Sequence, residues 1–133
     1  MSERHDRGRA GEEYVCEYLI RNGWTIAARN YRVRGGEIDI AAERDGVLAF
    51  VEVKTRKVGS LTDGADAVTP KKQALVIRTA ERYLREHPTE AGTIRFDAAF
   101  VTVTAGEIPR AVKLEYIENA FDAFGIPGGY EQN

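Results

Sequence analysis

GEIDIAAERDGVLAFVEVK, residues 36–54, is the stretch whose reading decides the fold. At its centre stands Asp45-Gly46, a pair suited to a two-residue hairpin turn because both central positions of that turn require positive φ. With those two in the loop, Arg44 faces Val47, opposed residues have numbers that sum to 91, and Asp39 stands opposite Glu52. Side chains alternate along a strand. Glu37, Asp39, Glu52 and Lys54 are therefore expected on one side of the hairpin and Ile38, Ile40, Val51 and Val53 on the other, one face being core and the other concentrating charge.

Two carboxylates opposed on adjacent strands repel unless something positive lies between them. A divalent cation is the simplest solution, since magnesium binds through one or two carboxylates, keeps several waters and takes phosphate oxygens as further ligands. Lys54, on the same face as Glu52, would then hold an attacking water or offset charge developing on a phosphorus oxygen. The competing reading is a solvated sheet face with a cross-strand Glu37–Lys54 pair, and these residues alone leave both open.

Working outward, the spacing predicts a helix from Arg7 to Asn22 with Val15, Cys16 and Leu19 on one stripe and Asn22-Gly23 as its stop. Glu12 precedes those three by three, four and seven residues and so falls on the buried stripe, whereas Glu13 aligns with Glu17 toward solvent. A favourable charge at a helix N-terminus is the alternative explanation of Glu12. A strand is predicted from Trp24 to Tyr31, a turn over residues 32–36, and hairpin strands over residues 37–42 and 47–54. Thr55 to Thr69 reads as a long loop. Thr69-Pro70 opens a second helix that runs to His87-Pro88, and two more strands are expected over residues 94–103 and 111–117. That order predicts an α/β single domain, a central mixed β-sheet flanked by helices, over residues 1–124, with 125–133 a tail.

The chain has 133 residues, a length that one core can stabilise by burying roughly two-thirds of the unfolded surface. No signal-peptide pattern or run of about 18 apolar residues is present, which predicts a cytoplasmic protein without a membrane partner. One cysteine excludes an internal disulfide, and with only 2 histidines it leaves too few soft ligands for structural zinc. Any metal must be hard and oxygen-bound. The net charge of -2 argues against bulk electrostatic coating of nucleic acid, yet residues 1–85 hold 16 Lys/Arg against 13 Asp/Glu while residues 86–133 hold 3 against 8. The basic surplus accompanies the hairpin. Arg29, Arg32, Arg34, Arg56, Lys57, Lys71 and Lys72 are candidates for phosphate contact, with plain solubility as the competing role. Gln73 either faces the site or lies on the surface, the second being preferred, and Asp97 has no chemical role in this reading.

Gly36-Glu37-Ile38-Asp39-Ile40, Phe50-Val51-Glu52-Val53-Lys54-Thr55-Arg56 and Gly11-Glu12-Glu13 together resemble the YraN-like family of uncharacterised proteins in the restriction-endonuclease-like superfamily. The similarity extends through Pro70-Lys71-Lys72-Gln73 and Arg95-Phe96-Asp97 to about residue 121. It implies a restriction-endonuclease-like mixed sheet, with Asp39 and Glu52 as metal-binding acids, Lys54 as catalytic lysine, and Glu12 as the helix-one acid of the Holliday-junction resolvase branch. Val53 would add its backbone carbonyl to the metal. Ile38 departs from the pattern, standing where many superfamily members carry proline. The implied cofactor is Mg2+ or Mn2+ and the implied partner nucleic acid, DNA first, branched DNA among the candidates, with a homodimer left open. The function so implied is hydrolysis of DNA phosphodiesters; a non-catalytic nucleic-acid-binding module of the same fold is the alternative, and a scaffold without nucleic acid a weaker third.

Overall fold

Asp45 and Gly46 adopt φ of 51° and 79°, the left-handed pair that a tight hairpin demands, and Arg44 pairs with Val47 as the turn requires. Around this hairpin the structure, a computed structural model, describes residues 3–60 and 68–121, with side chains from residue 6 onward. The elements are α1 (Glu3–Arg21), β1 (Thr25–Val33), β2 (Gly36–Arg44), β3 (Val47–Lys57), α2 (Pro70–Glu86), β4 (Thr93–Val103) and β5 (Ala111–Phe121). The strands form one sheet in chain order, antiparallel throughout except for the parallel β3–β4 pair. The helix α2 makes the crossover that a parallel pair needs. The expected α/β mixed sheet with flanking helices is thus present.

Each helix covers a different face. Val15, Cys16 and Leu19 of α1 pack on Ile40, Ala42, Val51, Ala99 and Val101. On the other side, Val76, Ile77, Ala80 and Tyr83 of α2 pack on Ile38, Ala41, Leu48, Phe50 and Phe96. Burying a Val or Ile side chain contributes about 1.5–3 kcal/mol, which outweighs the few tenths by which a β-branched residue disfavours a helix. Thr69 caps α2 by accepting from the Lys72 N–H at 3.2 Å, and Pro70 occupies the first turn.

Several expectations need correction. The division into one core face and one charged face fails, because Ile38 belongs to the α2-side core while Ile40, Val51 and Val53 lie on the α1 side. The alternation is broken where Asn30, on the neighbouring strand, takes φ of 53°; Ala28 before it and Tyr31 after it face the same side despite their odd spacing. The turn before β2 is shorter than residues 32–36, since β1 continues through Val33 and only Arg34 and Gly35 turn. Thr55, Arg56 and Lys57 are strand rather than loop, held beside Val101, Thr102 and Val103 of β4. The helix α1 starts before Arg7, and β5 continues to Phe121. Residues 61–67 of the expected loop and the expected tail at 125–133 lie outside the described residues. Among the described residues no helix is long and apolar enough to cross a membrane.

Candidate functional site

The β2–β3 ladder follows the sum-to-91 register from Arg44–Val47 as far as Ile40–Val51 and stops there. Asp39 and Glu52 therefore do not form the ladder pair expected of them. Instead the Asp39 carboxylate enters the gap between the strands, where its Oδ2 accepts the Val53 N–H at 2.8 Å. Side chain replaces backbone, and the two strands part just where the acids stand. Asp39 is 9% exposed and Glu52 5%, so both carboxylates sit in the wall of the sheet.

Burial pushes the Asp39 carboxyl up, and the neighbouring Glu52 charge adds to it, bringing it to about 8. Glu52 is raised by burial too, but two cations oppose the rise: Lys72 first, then Lys54. Lys72, in the first turn of α2, brings Nζ to 3.4 Å from Glu52 Oε2. Glu12 reaches the same region from α1, half-buried as its place on the helix stripe predicts, and its carboxyl is raised mainly by that burial. With the Asn30 amide turned so that nitrogen meets the acids, it donates to Glu12 Oε1 at 3.2 Å and Glu37 Oε2 at 3.3 Å. Glu37 also takes Arg32 Nε at 3.0 Å, so the cross-strand pair considered with Lys54 is made with Arg32 instead.

Arg32, Glu37, Asp39, Glu52, Lys72 and Leu75 line a cleft of about 350 Å³. Lys54 is half-buried beyond that cleft on β3, two positions past Glu52 and hence on its face. A larger recess of about 490 Å³ lies at the far end of the hairpin, around Glu43, Arg44 and Thr89, away from the acids.

No group of three or more His, Cys, Asp or Glu side chains among the described residues is arranged to hold a metal ion. What the chain offers is a two-carboxylate set, Asp39 and Glu52, both raised by burial and Asp39 further by Glu52. That set fits a magnesium-type ion, which needs only one or two carboxylates and keeps its waters, better than a closed protein cage. The Val53 N–H is committed to Asp39, and no contact of its carbonyl bears on the ligand role expected for it.

The basic candidates separate. Arg32 and Lys72 line the cleft, and Arg34 is exposed beside Gly35 at the turn that borders it. Arg56 and Lys57 lie farther along β3, Lys71 is exposed, and Arg29 pairs with Glu13 at 3.1 Å. Gln73 folds back on the Val68 carbonyl at 2.8 Å rather than entering the site. Sequence reasoning missed the bridging of Asn30 and the contact between Lys72 and Glu52, because neither a left-handed asparagine nor a helix-to-strand ion pair leaves a periodic trace.

It also missed the task of Asp97. Fully buried, this carboxylate takes two bonds from Arg95 at 2.9 Å, the Tyr116 hydroxyl at 2.6 Å and the Asn119 N–H at 2.9 Å. It braces β5 where the ladder register shifts between Phe96 and Ala98. The signal was Arg95-x-Asp97, two opposite charges on one strand face.

Residues 11–101 match the model of a family described as uncharacterised protein family UPF0102. A UPF0102 protein of Chlorobium phaeobacteroides is 45% identical over 120 residues, spanning 88% of this chain and 94% of the relative. One from Rhodopseudomonas palustris is 41% identical over 117 residues, spanning 87% and 83%. Another, from Nostoc, is 41% identical over 128 residues, spanning 84% and 91%.

Proposed function

The chain belongs to uncharacterised protein family UPF0102, a name that assigns no reaction, and from the site itself we propose a metal-dependent endonuclease-type domain acting on DNA phosphodiesters. The observation that carries this reading is the pair of buried carboxylates, Asp39 and Glu52, at a cleft whose cationic lining comes from Arg32 and Lys72. The Glu52 charge adds to the cost of ionising buried Asp39, and Glu52 itself is held by a half-exposed lysine, an arrangement that a divalent cation between the two acids would relieve. The restriction-endonuclease-like motif pattern supports the same assignment.

When bound, a magnesium or manganese ion would supply Lewis-acid polarisation and a more acidic water. Asp39 and Glu52 would hold it, Asp39 having one oxygen tied to the Val53 N–H and so fixed in orientation. Lys54, on the face of Glu52, positions a water or offsets charge on a phosphorus oxygen. Glu12, set beside Asn30 and Glu37, contributes a third acid at the margin. Arg32, Arg34 and Lys72 offer phosphate contacts at the cleft, with Arg56 and Lys57 extending them along β3.

A second reading, a nucleic-acid-binding module without turnover, is favoured by one feature: Lys72 already neutralises Glu52. Calorimetric titration of manganese into the protein and into Asp39→Asn tests the cation site. Binding by the wild type that is lost in the variant is expected; equal binding by both removes Asp39 from the site.

A further inference from the structure

We infer that Lys72 is an exchangeable counter-ion, holding Glu52 in the metal-free protein, yielding that carboxylate to the divalent cation, and then facing substrate phosphate in the cleft. The inference rests on the metal reading of Asp39 and Glu52 and concerns a residue outside the Asp, Glu and Lys set of the two strands.

The two partners are unequally placed. The Glu52 side chain is 6% exposed and Lys72 43%, so the carboxylate is fixed in the sheet while the ammonium can turn to solvent at little cost. The lysine is thus the member that moves. Its backbone does not move with it, because the Lys72 N–H is bound by the Thr69 side chain and Pro70 stiffens the turn. A fixed Cα with a four-carbon stem swings its charge around one anchor.

Position on the helix argues the same way. The first turn of α2 contains no acid, and a lysine there opposes the positive end of the helix dipole. Such a cation needs a close anion. Within the cleft that anion is Glu52; once Glu52 is occupied by a metal ion, a phosphate oxygen is the natural replacement, since it also suits a helix N-terminus. Lys72, Glu52, Asp39 and Arg32 line one cleft, so the exchange requires no movement of the fold. Lys54, whose charge also acts on Glu52, differs in that its backbone is held within a strand paired to β4 and it is not among the residues that line the cleft.

Manganese titration into EDTA-stripped wild type, Lys72→Met and Arg78→Met tests the exchange, Arg78 being an exposed cation on the same helix. Lys72→Met should bind manganese roughly fivefold more tightly, the size of a half-exposed ion pair that no longer has to be broken. Arg78→Met should stay within about twofold of wild type, since an exposed charge is screened. Duplex binding is then compared with and without calcium, which uses the same oxygen ligands. Calcium should raise wild-type affinity more than that of Lys72→Met, and Lys72→Gln should repeat the pattern. Manganese affinity that is unchanged or weaker in both variants overturns the exchange while leaving the site intact. Absence of manganese binding in every protein is a different failure, which removes the cation site and the exchange together.

Discussion

Asp39 shows how much of a single residue's role can be read in advance. The Asp45-Gly46 turn fixed its proximity to Glu52 by register, but its bond to the Val53 N–H depends on where the ladder stops, and no local pattern encodes that. The burial and the Glu52 charge that hold its carboxyl near 8, against 3.8 ordinarily, have a consequence for stability. An acid that is harder to ionise in the fold binds more protons natively than when unfolded across that window, so stability falls as pH rises through it. The urea midpoint of EDTA-stripped protein should therefore decline from about pH 5 to about pH 8, and Glu52, raised for the same first reason, acts in the same direction. Asp39→Asn should flatten the decline and be the more stable protein at the upper end. A wild-type midpoint that rises over this range, with the variant tracking it, would contradict the placement of Asp39.

At the scale of elements, two glycines bring the helices to the sheet. A Cβ on Gly11 would stand 2.0 Å from Thr55 Oγ1, and one on Gly36 the same distance from Thr79 Oγ1. Each glycine precedes an acid of the site region, Glu12 in one case and Glu37 in the other, so close approach and acid placement are linked. Gly11→Ala gains about 1 kcal/mol in helix propensity but overpacks by about 1–3 kcal/mol, and the severity of the contact puts the second effect ahead. Chemical denaturation should show a net loss of about 1–2 kcal/mol, with Thr55→Ala in the same chain recovering at least half of it. Additive losses in the double variant would mean that the two residues do not touch. The hairpin, the capped second helix and the Glu12 stripe were legible because each follows a period or a turn rule. The change of face between Ile38 and Ile40 was not, because it accompanies a left-handed Asn30 on the neighbouring strand, which no period marks.

Across the whole molecule, a mixed sheet with a helix on each face brings acids and bases together at the end of the β2–β3 hairpin away from its turn, where the ladder between the two strands has stopped. The Asp and Glu spacing made this grouping legible in the sequence, but the order of strands in the sheet was not, since parallel β3–β4 pairing follows from the α2 crossover and not from either strand's own residues. The brace at Asp97 was likewise invisible as a function because it serves β5, whose residues are distant in sequence. The central proposal is that this end of the hairpin is a phosphodiester-cleaving centre. It is tested most directly by the cleavage of linear, flapped, nicked and four-way-junction DNAs with manganese or magnesium, comparing wild type with Glu52→Gln and Lys54→Ala. Both variants should fold, and each should lose cleavage by on the order of 10²-fold or more, the scale of removing a preorganised charge-stabilising group, while keeping DNA affinity. Cleavage at the wild-type rate by both repurified variants, or no cleavage by the wild type on any substrate with either metal, would contradict it.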